Sequence, residues 1–382
     1  MNKHEFTIHN RVRLVKSGHE YFDLLLTSID KAEKDIYLHT YILNDDYTGG
    51  LVVEKLINAA KRRVNIFVLV DSYASKKSCI KLIPLLKEND IHFSLFEPPF
   101  KSEFFYFSRR MHQKVVVFDT NHAIVGGINI ADRYNDSTKG KAWLDFAIHI
   151  EGFVVQEIES ICKQKWNQYK ISDKIENPEK EIWKHFNCMA RVRENDWVWH
   201  KNEISNTYID ILRHAKKEII ILCSYFIPGR VIRRQMVEAV KRGVKIQLIV
   251  AGKSDIPIAK HAERWLYDWL LRNKMEVYEY QNNVLHGKMA ICDDYFVTIG
   301  SYNINNLSTY VSLELNIDIK NDAFAQTAKE TLVLLQKNEC TKITKIVHNN
   351  RKNIFIQLHR WLCYNIIKAI FKLFTFYYRR KH

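Results

Sequence analysis

His112-Gln-Lys-Val-Val-Val-Phe-Asp-Thr-Asn-His-Ala-Ile-Val-Gly-Gly-Ile-Asn129 and His286-Gly-Lys-Met-Ala-Ile-Cys-Asp-Asp-Tyr-Phe-Val-Thr-Ile-Gly-Ser-Tyr-Asn303 are two copies of one pattern. Each reads His-x-Lys, four residues, Asp, six residues, Gly-Gly or Gly-Ser, one residue, Asn; 286 minus 112 and 303 minus 129 both give 174. A single His-x-Lys would be ordinary in a chain with 16 histidines, but an ungapped repeat of the whole pattern is a poor match to chance. His4, His9, His149, His261 and His382 lack any such repeated context. The apolar stretches 115–118 and 289–292 are strand-like, and on a strand residues two apart share a face, so each copy sets an imidazole beside an ammonium.

That set suits phosphoryl chemistry. One imidazole can attack phosphorus while a second protonates the leaving oxygen, and lysine and asparagine can donate to the non-bridging oxygens. The pattern nominates His112, Lys114, Asp119, His286, Lys288 and Asp293 as catalytic, with Lys114, Asn129, Lys288 and Asn303 as phosphate-binding. The glycine pairs are expected to turn the backbone sharply and deliver Asn129 and Asn303 to the pocket of the lysines.

Working outward from the motifs, the two halves repeat as a whole. Residues 35–41 predict a strand, 51–63 an amphipathic helix and 64–70 a second strand; 218–225, 231–242 and 244–250 repeat that order, with Gly243 as a helix C-cap. Ala-Lys-Arg-Arg-Val-Asn-Ile at 60–66 answers Val-Lys-Arg-Gly-Val-Lys-Ile at 240–246. Strands alternating with helices, and too continuously apolar for one-sided burial, predict an α/β fold with mixed sheets flanked by helices. Little apolar periodicity in 171–195 makes it a surface linker between a lobe at 1–170 and a lobe at 196–339, with a basic tail at 340–382. A chain of 382 residues has material for two such lobes.

Lys and Arg outnumber Asp and Glu by 58 to 43, and a net charge of +15 favours polyanionic partners, lipid or nucleic acid alike. Seven scattered cysteines show neither zinc-ligand nor disulfide spacing, which points to a reducing, cytosolic setting. The charged first twenty residues have no apolar core for a signal peptide or anchor.

With these residues in hand, the chain resembles the phospholipase D superfamily over roughly 15–337. The resemblance implies two similar sandwich lobes with a shared active site at their interface. It also implies a ping-pong reaction through a phosphohistidine, with no metal and no cofactor. By that analogy His112 is the nucleophile and His286 the general acid. An acidic residue downstream of each motif orients its histidine, here Asp145 and Glu314. Asp119 and Asp293 then hold local structure more than they transfer protons. Gly126-Gly-Ile-Asn-Ile-Ala-Asp-Arg-Tyr, Trp143-Leu-Asp, Glu151-Gly and Ser224-Tyr-Phe-Ile-Pro further resemble bacterial cardiolipin synthases of the short form that lacks N-terminal membrane helices. These move a phosphatidyl group from one phospholipid to the hydroxyl of another, commonly between two phosphatidylglycerols with release of glycerol. A phospholipase D releasing phosphatidic acid would need the same residues. A nuclease is the more distant alternative, since the tail and these segments argue against nucleic acid.

The 340–382 segment has ten Lys or Arg and no Asp or Glu, with an apolar helical stretch interrupted by Arg360, Lys368 and Lys372. A spanning helix needs about 20 mainly apolar residues. A basic amphipathic helix instead suits an anionic membrane surface, placing the protein peripherally on the cytoplasmic face of the cell membrane. Packing of that helix on the C-terminal lobe is the competing expectation. A second apolar run, 100–110, leads into His112 as a lip for acyl chains or as a buried strand. Oligomeric state is not legible.

Overall fold

The computed structural model describes residues 5–97, 109–137, 140–167, 181–350 and 353–379. Most of the 100–110 run and part of the 171–195 linker lie outside these described residues. The chain forms two units. One holds the residues up to Arg193 with Ile299–Ser301 and Leu313–Asn321; the other holds Glu194–Thr298, Tyr302–Ser312 and the residues from Asp322 onward.

In the first unit, β1 (Thr7–Lys16), β2 (Asp35–Thr40), β3 (Asn65–Asp71), β4 (His92–Phe96), β5 (Lys114–Phe118), β6 (His122–Gly126) and β7 (Phe146–Gly152) form a mixed sheet. Its order is β4-β3-β2-β5-β6-β7-β1, parallel across the first two pairings and antiparallel thereafter. Alternation on the central strands explains the sandwich. Ile36, Leu38, Ile66, Val68 and Val116 face a core closed by α1 (His19–Lys31) and α2 (Tyr47–Lys61). On the other face Tyr37 stacks on Phe67, and Trp166 of α3 (Val154–Asn167) meets Phe67 edge-on. α2 begins four residues before its apolar period suggests, because Asp46 caps it by accepting from the Gly49 N–H at 3.0 Å.

The second unit repeats the plan. β8 (Glu218–Cys223), β9 (Lys245–Lys253), β10 (Glu276–Val284) and β11 (Lys288–Cys292) correspond to β2, β3, β4 and β5. β8, β9 and β10 run parallel, and β11 pairs antiparallel with β8. β12 (Ser312–Lys320) contributes residues 313–320 to the first unit, and β13 (Cys340–Lys342) edges β10. Its helices include α4 (Glu203–His214), α5 (Arg230–Lys241), α6 (Pro257–Trp265), the short α7 (Asn306–Tyr310) and α8 (Ile354–Arg379). Gly243 follows α5 at φ +92°, the left-handed turn expected after a helix end.

α8 has two unlike faces. Arg360, Cys363, Ile367 and Phe371 recur at helical spacing and are buried, the last three against Ile227, Ala262 and Leu266. Each large apolar side chain so buried stabilises the contact by about 1.5–3 kcal/mol. Packing on the lobe is therefore realised for one face, while Leu358, Trp361, Leu362, Ile366 and Leu373 on the other are exposed. Among the described residues no helix is long and apolar enough to cross a membrane.

Two histidines of the first unit give a pH prediction. Burial, and then repulsion by Lys165, push His39 down to about 3; burial, Arg13 and Arg11 push His149 down to about 4. Both are neutral when folded but take up protons near their ordinary value of 6.5 when unfolded, so the unfolded chain binds more protons below that pH. Stability is expected to fall as pH drops from about 6.5 toward 4, and His39→Gln should flatten the slope of the urea midpoint over that window.

Candidate active site

β2 and β5 set the first motif. Lys114 opens β5 and His112 stands two residues before it; Gln113 between them is buried, its amide 3.0 Å from Nδ1 of buried His39, while His112 and Lys114 both meet the Tyr41 ring. The backbone just before His112 is pinned as well. The buried Asp71 carboxylate accepts from the N–H groups of Tyr73, Ala74 and Met111 at 2.9–3.0 Å, and burial pushes this carboxyl up.

His112 Nδ1 lies 2.9 Å from Oε2 of Glu314, a fully buried carboxylate that also accepts from Ser301 Oγ at 2.5 Å. The backbone follows suit, since the His112 N–H donates to Leu313 O at 2.9 Å. Because the carboxylate can only accept, Nδ1 carries the proton and Nε2 keeps its lone pair. This corrects the expected pairing within each copy: Glu314 follows the second motif but braces the histidine of the first, because β12 contributes residues 313–320 to the first unit. The Tyr41 ring meets His112 edge-on at 4.9 Å and lies 5.1 Å from Lys114 Nζ, which also donates to His112 O.

Asp145 is fully buried, and Phe146 N–H donates to its Oδ1 at 2.7 Å. Gly127 is required beside it: a Cβ there would stand 2.4 Å from Asp145 Oδ1. Ser301 occupies the same place in the second motif and uses its hydroxyl on Glu314. The Gly-to-Ser difference was the one signal in the sequence for that bond.

In the second motif His286 and Lys288 are buried, with Lys288 Nζ 3.0 Å from His286 Nδ1 and also donating to His286 O. An ammonium can only donate, so in the neutral imidazole this contact makes Nδ1 the acceptor.

The motif aspartates are spent elsewhere. Asp119 accepts from the N–H groups of Glu33, Lys34 and Asp35 at 2.8–3.0 Å, while Asp293 accepts from Lys216, Lys217 and Glu218 at 2.8–3.3 Å. Both have positive φ, 52° and 53°. They staple the turn after β5 or β11 to the start of β2 or β8, the local structural role that the resemblance implied, and these bonds give no support to their nomination as catalytic. Asp119→Asn tolerates the backbone but faces an amide N–H toward one of those donors. We expect it to cost about 2 kcal/mol of stability in a urea titration, with kcat of the folded fraction nearly unchanged.

The asparagines also differ from expectation. Asn129 Oδ1 accepts from Ile42 N–H at 3.1 Å and its Nδ2 donates to Tyr134 Oη at 2.9 Å; Asn303 Oδ1 accepts from Ser224 Oγ at 2.7 Å. Each fixes the loop leaving the first strand of its own repeat, the loop that in the first unit carries Tyr41. We read Asn129 as a positioning residue, while the Asn303 bond engages only its oxygen and leaves phosphate donation by its NH₂ as the proposed role.

Comparison with known proteins agrees with this duplicated site. A family profile described as "Cardiolipin synthase, PLD-like domain" matches residues 25–166 and 208–333. Cardiolipin synthase B of Salmonella typhi is 31% identical over 353 residues, covering 87% of this chain and 82% of the relative. Cardiolipin synthase B of Escherichia coli (strain K12) is 30% identical over the same shares. Among solved structures, phosphatidylserine synthase of Haemophilus influenzae Rd KW20 superposes with a TM-score of 0.72 over 95% of this chain and 94% of its own; at 15% identity this speaks for the fold alone.

Proposed function

The chain belongs to the cardiolipin synthase family of phospholipase D-like proteins, and from that premise we propose how its residues carry out phosphatidyl transfer. The reaction is transfer of a phosphatidyl group from one phospholipid to the hydroxyl of another, with two phosphatidylglycerols giving cardiolipin and glycerol. Nε2 of His112, stripped of its proton by the Nδ1–Glu314 bond, attacks phosphorus. As the bond to the glycerol oxygen breaks, His286, entering as the imidazolium, gives that oxygen its Nε2 proton and is left neutral. In the return step His286 takes the proton of the acceptor hydroxyl, whose oxygen attacks phosphorus and releases His112. Lys114 and Lys288 hold the non-bridging oxygens, and Glu314 orients His112.

The bond between His112 Nδ1 and the buried Glu314 carboxylate, which leaves Nε2 as the attacking nitrogen, carries this division of labour. We further propose that the substrates are anionic phospholipids met at the cytoplasmic face of the membrane, with 340–382 as the contacting segment. Its exposed apolar face on α8 and its ten Lys or Arg without a carboxylate support that reading.

The test is incubation of the full chain with phosphatidylglycerol vesicles in the presence of chelator, against His112→Ala. Cardiolipin with equimolar glycerol, absent in the variant, is the expected result. Phosphatidic acid alone would make water the acceptor and the protein a hydrolase.

A further inference from the structure

The second unit contains a cavity of ≈ 790 Å³ bounded by α4, the first turn of α5, α7 and α8. Of the second motif only Tyr302 lines it; His286, Lys288 and Asn303 do not. Four cations do: Arg230, Arg233, Lys368 and Lys372. No Asp or Glu is among the lining residues described. Its floor is apolar, with Ile227, Ile304 and Phe371, and Tyr302 adds a hydroxyl held by Ser205 Oγ at 3.2 Å and Thr309 Oγ1 at 2.7 Å.

Helical spacing then relates this cavity to the exposed side of α8. At 100° per residue, Tyr364 and Phe371 point to the cavity, Lys368 and Lys372 stand at its rim, and Leu358, Leu362 and Leu373 follow on the solvent side. Apolar floor, cationic rim and exposed apolar flank succeed one another around one helix. A ligand that matches them in order carries a phosphate beside acyl chains, and the ten positive charges of 340–382 favour an anionic bilayer as its source.

We propose that this groove is a second, non-catalytic binding site for an anionic phospholipid of the membrane, with Arg230, Arg233 and Lys368 on the phosphate and the acyl chains running out along α8. Bound there, one lipid would seat the second unit on the bilayer that supplies the substrates. The proposal rests on the reading of the protein as a phospholipid-transferring enzyme only for the source of that lipid.

The experiment uses the full chain carrying His112→Ala, so that no lipid is consumed, and measures flotation with phosphatidylcholine vesicles with and without phosphatidylglycerol. Alongside it, titration calorimetry uses soluble dihexanoylphosphatidylglycerol. Adding R230E/K368E, both at exposed positions, is expected to weaken binding to phosphatidylglycerol vesicles about tenfold or more and to remove one of two classes of short-chain lipid site. Leu362→Asp should weaken vesicle binding while keeping both short-chain sites. Unchanged vesicle binding by R230E/K368E, or a single short-chain site in the parent, would overturn the proposal. Displacement of the short-chain lipid from this site by glycerol 3-phosphate at equal concentration would assign it to a free phosphate ester and overturn the lipid assignment. If the protein with His112 intact turns over no lipid yet the Arg230-dependent binding persists, the functional reading fails and the groove stands.

Discussion

His112→Ala is expected to lower cardiolipin formation on the order of 10⁴-fold or more, whereas His286→Ala should cost about 10²–10⁴-fold with a natural substrate. The two losses differ in kind, and the leaving group tells them apart. A p-nitrophenolate leaves without a proton, so a p-nitrophenyl phosphodiester relieves the enzyme of its acid but not of its nucleophile. We expect His286→Ala to recover most of its first-step rate on that substrate and to accumulate a covalent adduct at His112, because the acceptor then lacks its base. His112→Ala should release no p-nitrophenol above background. The converse pattern, with rescue of His112→Ala and an adduct on His286, would exchange the roles. Measuring burst amplitude and acid-labile phosphohistidine by mass spectrometry reads both outcomes from one preparation.

The two histidines on which this experiment turns were legible in the sequence. The repeat at 174 residues identified which two of the 16 histidines to consider, although each stands two residues before the strand, β5 or β11, that its lysine opens. The central strands and the helices that follow them were also readable, since apolar periodicity is local. What periodicity could not show was which chain segments meet. Asp46 as the cap of α2 is a single polar residue outside the apolar pattern, so the helix start was missed. Tyr41 and Asp71 shape the surroundings of His112 from the C-terminal ends of β2 and β3, and neither belongs to the motif. Asn129 has the donors a phosphate needs, and only its bonds to Ile42 and Tyr134 reveal that it holds a loop instead.

Glu314 is the largest such difference and sets the second main prediction. It lies 202 positions from His112 in sequence, so spacing within a repeat assigns it to the wrong histidine. Glu314→Gln preserves the volume of a fully buried side chain and replaces one of its two oxygens with NH₂, while both donors, His112 Nδ1–H and Ser301 Oγ–H, use the same oxygen, Oε2. If the NH₂ takes the place of Oε2, with the Ser301 hydroxyl turned to accept from it, the imidazole gains by moving its proton to Nε2, and the attacking lone pair is lost. A wrong tautomer at a catalytic histidine costs up to about 10⁴-fold in kcat where this has been measured, so we expect about 10²–10⁴-fold here with KM nearly unchanged. Ser301→Ala removes the competing donor without disturbing His112 and should cost only a few-fold. In E314Q/S301A no hydroxyl remains to accept from an amide NH₂ in that place, so the oxygen can return to Nδ1 and the double variant should be more active than Glu314→Gln alone. A purely structural role for Glu314 predicts the opposite order, with the double variant the least stable and the least active. Single-turnover rates of phosphohistidine formation, set beside urea midpoints for the three variants, separate a misplaced proton from a loosened fold.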